Sequence, residues 1–257
     1  MAPPRFESLQ LPDAAPALAL ALAPHPDDFD AIGVTMRRLH ERGCALHLVV
    51  ATTGASGVDD TDCTPPTWEA KAALREAEQR ASCGFFGLPE ERLRFLRLPA
   101  DAEGHVAVDA ANVERVAVVL RELHPALVFL PHGRDANVTH QRVYQMLCAA
   151  APAPTFAVFL NRDPKTIVMR YDVVTPFGEE LATWKATLLR FHQTQQLRNL
   201  RRRGRGFDER ILAMDRDSAA TCGVEAPYAE VFELEPAGSV ASSAASGSAP
   251  SPCRSRS

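Results

Sequence analysis

The sequence predicts an α/β fold of three layers, a mostly parallel sheet with helices on both faces. Short, unbroken apolar runs of the kind that form doubly buried strands recur along the chain. Amphipathic stretches of ten or more residues separate them, and the alternation continues from Leu18 to about Leu197. Of 257 residues, 46% are apolar and 23% charged, which suffices for one substantial core. We therefore expect one domain over residues 15–235. A loose arm with Pro3, Pro4 and Pro12 precedes it over 1–14, and a disordered Ser/Ala/Gly-rich tail follows over 236–257.

The elements follow in order. Leu18–Pro24 reads as a buried strand, and Ala31–Arg42 as a helix with Ile32, Met36 and Leu39 on one face and Gly43 placed to end it. Ala45–Ala51 is a second strand, followed by a polar, glycine-containing loop, Thr52–Gly57. A helix over about Thr67–Gly84 leads to a short strand, Leu93–Leu98. Ala110–Leu123 is helical and stops at His124-Pro125, because the residue before proline avoids the helical region. Ala126–Pro131 is an apolar strand and Thr139–Ala150 a helix with Val143, Met146 and Leu147 inward. Two β-like runs, Thr155–Leu160 and Thr166–Val174, precede a helix from about Gly178 to Leu197. The charge run Arg201-Arg202-Arg203-Gly204-Arg205 reads as a solvated loop, with a basic flap for a phosphate or carboxylate as the functional alternative.

Composition excludes several classes. A net charge of −4 argues against a nucleic-acid partner, whose binding face would be basic. Six scattered cysteines without a CxxC pair read as reduced thiols, so the expected location is cytoplasmic. No stretch approaches the ~18 apolar residues of a membrane span. Ala14–Ala23 lacks the basic lead-in of a signal peptide, and a core strand is the better reading.

In parallel α/β sheets, ligands bind beyond the carboxyl ends of the strands. Two polar clusters fall there: Pro24-His25-Pro26-Asp27-Asp28 after the first strand, and Pro131-His132-Gly133-Arg134-Asp135-Ala136-Asn137-Val138-Thr139-His140 after the strand at Ala126. One tight turn aims His25 and Asp28 at a single ion while Asp27 stays off it. His140 completes a two-histidine, one-carboxylate set with an open position, the arrangement of catalytic zinc sites. The structural alternative is a helix N-cap for the aspartates and a surface position for His140. No Gly-x-Gly-x-x-Gly follows the first strand, which weighs against a dinucleotide site.

The block APHPDDFDAIG resembles the His-Pro-Asp-Asp-Glu signature of the PIG-L/LmbE-like deacetylase family. Further blocks fall in the family's order: Arg75-Glu76-Ala77-Glu78, Phe95 to Asp101, Asp135 to His140, Leu188 to Gln195, and Tyr228 to Phe232. The likeness spans about residues 17–235 and implies a Rossmann-like, LmbE-like fold. It also implies a zinc-dependent hydrolase that removes an N-acetyl or N-acyl group from a small-molecule or glycoconjugate substrate containing glucosamine. Other divalent ions suit the same ligands. Carried over, His25, Asp28 and His140 match the metal ligands, and Asp27 matches the general base that activates a metal-bound water. Arg75 and Asp101 match sugar-contacting positions, and the likeness gives His192 a place at the pocket.

Two departures from the family pattern stand out. Phe29 replaces the glutamate after the aspartate pair, and Asn137 replaces the first histidine of the second motif. Asn137 can still donate a hydrogen bond to the oxyanion, and His132 or His192 is expected to supply the missing positive charge. Two other functions remain open at the sequence level: a zinc amidohydrolase on a non-sugar substrate, and an idle sugar-binding protein on the same fold.

Overall fold

A computed structural model describes residues 3–5, 17–101 and 105–235. The tail over 236–257 and most of the arm over 1–14 lie outside these residues. Of the arm, the Pro4 carbonyl accepts a 3.0 Å hydrogen bond from the Val174 amide.

The strands are β1 (Leu18–Ala23), β2 (Ala45–Val50), β3 (Leu93–Phe95), β4 (Leu127–Pro131), β5 (Ala157–Asn161), β6 (Val173–Phe177) and β7 (Tyr228–Glu235). The helices are α1 (Gly33–Glu41), α2 (Trp68–Phe86), α3 (Ala110–Leu123), α4 (Val138–Ala150), α5 (Glu179–Arg190), α6 (Gln193–Arg203) and α7 (Phe207–Cys222). The strands make one sheet in the order β3-β2-β1-β4-β5-β7-β6. The four pairings among β1 to β5 are parallel, and β7 runs antiparallel to both β5 and β6. The three-layer, mostly parallel α/β fold is therefore the one the alternation predicts.

Strand pleating divides the core. Along β1, Ala19, Ala21 and Ala23 face a cluster with Ile32, Met36 and Leu39 of the first helical segment and the stacked rings of Phe129 and Phe159. Leu20 and Leu22 face the other side, against Val116 and Leu120 of α3 and Val143 and Met146 of α4. Small residues on one side of β1 and large ones on the other let both layers pack closely. The chain winds outward in opposite directions from β1 and β4. Their carboxyl ends thus flank a switch point, where a crevice forms at the sheet edge.

Several boundaries differ from expectation. The helix expected over Gly178–Leu197 is two helices, broken where His192 takes φ −83° and ψ 66°. Its ring is drawn inward by Asp30 at 2.6 Å, so a buried hydrogen bond overrides the helical pattern. Of the apolar run Thr166–Val174, only its end joins β6. Ile167 donates its amide to the Arg134 carbonyl and leaves its side chain exposed, so this segment clamps the loop after β4 instead of forming a strand. The arginine run is not a loop: Arg201–Arg203 finish α6, and Arg201 and Arg202 pair with Asp59 and Asp62. Helix α7 and the pairing of β7 are further elements that periodicity alone did not separate.

Candidate metal centre and active site

The first half of the site is a turn that β1 delivers to the crevice. The Asp28 carboxylate accepts a 2.7 Å hydrogen bond from the His25 amide, closing the turn and bringing its Oδ2 to 3.3 Å from His25 Nδ1. Between them Asp27 adopts φ +116°, a conformation costly for a residue with a Cβ. Helix α2 holds it there: Gln79 Oε1 accepts from the Asp27 amide at 2.9 Å, and an Arg75 nitrogen lies 3.0 Å from Asp27 Oδ2. Arg75 also donates to the Pro26 carbonyl and reaches Glu78 at 3.3 Å. The guanidinium is 2% exposed, so two carboxylates and a carbonyl balance its charge in a dry setting.

The second half comes from β4 and α4. Asn137 caps α4, its Oδ1 accepting from the Thr139 amide at 3.0 Å, which places His140 in the first turn of the helix. His140 is 2% exposed, with Nε2 at 3.5 Å from Asp28 Oδ1. Its Nδ1 lies 3.2 Å from Asp135 Oδ2, and Asp135 is itself fixed by the Asn137 amide at 2.6 Å. The rings of His25 and His140 stand 5.2 Å apart. One ligand atom from each of His25, Asp28 and His140 lies within 4.8 Å of the others.

Burial opposes charge on Asp28, but His140 and the hydrogen bonds from His25 outweigh it and hold the carboxyl well below the usual range. Burial likewise works against protonation of His140, yet Asp28 and Asp135 together push the imidazole up to about 9. The ligand set thus concentrates negative charge and takes a proton where it has no cation. Two imidazoles and one hard carboxylate suit a divalent transition ion, and Asp135 behind His140 supplies the carboxylate–histidine support typical of such sites.

These groups open on a cavity of about 410 Å³ that Asp27, Asn137, Asp163, Arg198 and Arg210 also line. The amide NH₂ of Asn137 has no partner among the described residues, so it is free to donate into the cavity. A second cavity of about 330 Å³ shares His25, Gly54, Ser56 and Thr139 with the first and carries Trp68, half exposed, on its wall.

Other expected site residues lie elsewhere. His132 points away: its Nε2 meets Glu233 at 3.1 Å and its Nδ1 accepts from the Arg134 amide, so it brings no charge to the metal centre. His192 is fully buried against Asp30, which Gln79 and Ser82 also bind, and it lines neither cavity. Asp101 turns to Arg142 and to the His105 amide. Arg75 does reach the cavity, and its guanidinium is paired there with Asp27 and Glu78. Asp163, Lys165, Arg198 and Arg210 were not anticipated. For the first two the signal was present, since Asn161-Arg162-Asp163-Pro164-Lys165 leaves the carboxyl end of β5 at the same sheet edge.

Fold and site together define an α/β protein with a candidate metal centre at its topological switch point. The chain belongs to the PIG-L family, described as GlcNAc-PI de-N-acetylase, whose profile matches residues 20–151. This is a family of N-deacetylases, enzymes that hydrolyse amides. Among solved structures, N,N'-diacetylchitobiose deacetylase from Pyrococcus horikoshii is similar, with TM-score 0.71, 19% identity, and coverage of 89% of this chain and 87% of its own. The zinc-inhibited form of teicoplanin deacetylase Orf2 aligns at TM-score 0.67 and 15% identity, over 85% of this chain and 98% of its own. The 4-carboxy-2-hydroxymuconate hydratase GalB from Pseudomonas putida KT2440 aligns at 0.60 and 17%, over 86% and 97%. At these identities the likeness establishes the fold. No curated protein sequence matches significantly. No helix among the described residues is long and apolar enough to cross a membrane.

Proposed function

We propose that this protein is a zinc-dependent hydrolase that removes an N-acetyl or N-acyl group from a glucosamine-containing conjugate. The observation that carries the reading is the approach of His25, Asp28 and His140 to within 4.8 Å, with Asp27 beside them on one cavity, in a chain of a de-N-acetylase family. By their descriptions one neighbour of the same fold deacetylates N,N'-diacetylchitobiose and another teicoplanin, and the first of these supports an acetylated amino sugar as the substrate class. GalB has the fold and is a hydratase, so the fold alone does not select the reaction.

His25, Asp28 and His140 would hold the ion, with Asp135 fixing the His140 ring. When bound, a divalent cation there supplies Lewis acidity toward the acyl oxygen and lowers the pKa of water toward about 7. The remaining chemistry belongs to the protein. Asp27, held by Arg75 and Gln79, takes the proton of the attacking water at its carboxylate, a contribution of about 10²–10⁴-fold for a positioned base. The Asn137 NH₂ donates to the developing oxyanion. Asp27 then returns the proton to the departing amine nitrogen, so the carboxylate is regenerated.

The test loads chelator-treated protein with zinc and measures acetate and free amine released from acetylated glucosamine conjugates. Asp27→Asn should lower kcat by about 10²–10⁴-fold with zinc stoichiometry unchanged. Turnover at the wild-type rate in that variant, or protein that takes up no divalent ion, overturns the proposal. Hydrolysis of non-sugar amides alone would leave the metal chemistry standing and replace the substrate class.

A further inference from the structure

Asp27 sits at φ +116°, and a strained residue of this kind persists only where its surroundings over-determine it. Here its carbonyl, its amide and its carboxylate are all held. The carbonyl accepts the amides of Asp30 and Ala31 at 3.1 and 3.2 Å. The amide is held by Gln79 and the carboxylate by Arg75, both from α2. Neither holder acts alone. Their bonds lead away from the cavity to one place, the break between α5 and α6.

The amide side runs through Gln79. A glutamine amide has nearly the same shape either way round, so its neighbours decide which atom faces Asp27. Gln79 Nε2 donates to Asp30 Oδ2 at 3.0 Å, and a carboxylate only accepts, which leaves Oε1 for the Asp27 amide at 2.9 Å. Turned over, the side chain would set NH₂ against N–H and the bond would be lost. Asp30 is fixed in turn by the Ser82 hydroxyl and by His192, whose Nε2 lies 2.6 Å from the same Oδ2. His192 Nδ1 has no partner among the described residues, which suits the tautomer with its proton on Nε2. Asp30, Gln79, Ser82 and His192 are all fully buried, so water does not replace a missing member.

The carboxylate side runs through Arg75. Its Nη2 meets Asp27 at 3.0 Å while Nη1 reaches Glu78 Oε2 at 3.3 Å. Glu78 accepts the amide and the hydroxyl of Thr194, each at 2.7 Å, and so satisfies an orphan donor in the first turn of α6. His192 and Thr194 line neither cavity beside the metal centre. Each nevertheless begins a buried chain of hydrogen bonds that ends on Asp27.

We propose that His192 and Thr194 are positioning residues for Asp27, acting through Asp30 and Gln79 on its backbone and through Glu78 and Arg75 on its carboxylate. The bend between α5 and α6 thereby sets the angle at which the base meets the cavity. That Asp27 is a base rests on the deacetylase reading, whereas the hold on it is testable without turnover. A reacting group misplaced by about 1 Å loses about 10²-fold in rate. A packing role would lower stability alone, and a positioning role lowers kcat at full zinc occupancy.

The test joins hydrogen exchange to kinetics. In the full, metal-free, ¹⁵N-labelled protein, the Asp27 amide should exchange slowly by NMR. His192→Met should speed that exchange by about tenfold or more, with the Ala21 amide of β1 unchanged as a folding control. His192→Gln should restore protection, because its terminal NH₂ replaces the Nε2 donor. In zinc-loaded protein, His192→Met should lower kcat by about 10²-fold and Thr194→Val by about tenfold, with KM and zinc affinity unchanged. Thr194→Ser, which keeps the hydroxyl, should recover the rate. Neither substitution should cost further activity in an Asp27→Asn background, since both act through that residue. If His192→Met does not fold, Thr194→Val and its combination with Asp27→Asn decide the matter. Fast Asp27 exchange in wild type, wild-type kcat in Thr194→Val, or losses that multiply with Asp27→Asn each exclude the proposal. So does a fall in zinc affinity that matches the fall in kcat. Protection of Asp27 that depends on His192, in a protein that hydrolyses no acetylated amine, would remove the deacetylase reading and keep the frame. Hydrolysis that depends on Asp27 but is indifferent to His192 and Thr194 would do the reverse.

Discussion

Asp27, Asp28 and Asp30 lie within four residues of one another, and their neighbours give them three different environments. Asp28 faces two imidazoles, Asp27 is turned by its positive φ onto Arg75, and Asp30 is sealed against His192, Gln79 and Ser82. The same residue type thus supplies a candidate ligand, a candidate base and a buried strut. Asp135 belongs with them, because the only ring nitrogen of His140 not aimed at Asp28 is aimed at Asp135. Asp135→Asn should therefore weaken zinc binding by about 10–100-fold in competition with a chromophoric chelator. His132→Gln, at a residue paired with Glu233, should leave that affinity alone. Equal effects from the two substitutions would show that Asp135 does not position the ligand.

The elements that carry these residues are tied together by a second polar cluster, deep in the core. Lys185 of α5 is fully buried, 2.6 Å from Asp215 of α7 and 2.8 Å from Glu230 of β7. Glu230 also accepts the amides of Val34 and Thr35 at 3.0 and 2.7 Å, satisfying orphan donors at the start of α1. Four elements therefore meet at one lysine, and α1 is the helix that follows the turn carrying His25 and Asp28. Removing one member of such a cluster leaves uncompensated buried charge. Lys185→Met should lower unfolding stability by about 3–5 kcal/mol in urea titrations, and a loss under about 1 kcal/mol would mean the cluster is not holding these elements together. The sequence hinted at this only through the block Tyr228 to Phe232. Nothing in the periodicity of α5 announces that Lys185 points inward, because a lysine on a helical pattern ordinarily marks the solvated face.

For the molecule as a whole, this cluster sets one part of the pH response. Burial pushes Asp215 up to about 7, with the charge of Glu230 adding and Lys185 opposing. An unfolded aspartate titrates near 3.9. Between about pH 4 and about pH 7 the folded chain therefore keeps a proton that the unfolded chain releases, and stability falls as the pH rises through that window. Urea midpoints for wild type should drop across this range relative to those of Asp215→Asn, and parallel curves would refute the assignment. The measurement belongs to the metal-free protein, so that ligand titration contributes equally to both.

The sequence by itself determined the α/β class, because strand and helix periods are local properties that burial on two faces imposes residue by residue. It also determined the turn holding His25 and Asp28, since both lie within one short segment at a strand's carboxyl end. The approach of His140 to that turn was inferred from topology, and it depends on β1 and β4 being neighbours at the switch point. Only the tertiary structure decided what pairs with what: His192 with Asp30, Arg75 with Asp27, and His132 with Glu233. It likewise left Arg198, Arg210 and Lys165 on the cavity wall. Partner choice between residues far apart in the chain is fixed by how helices dock on the sheet, and a polar side chain reads the same in sequence whether it meets a counter-ion, a metal or water.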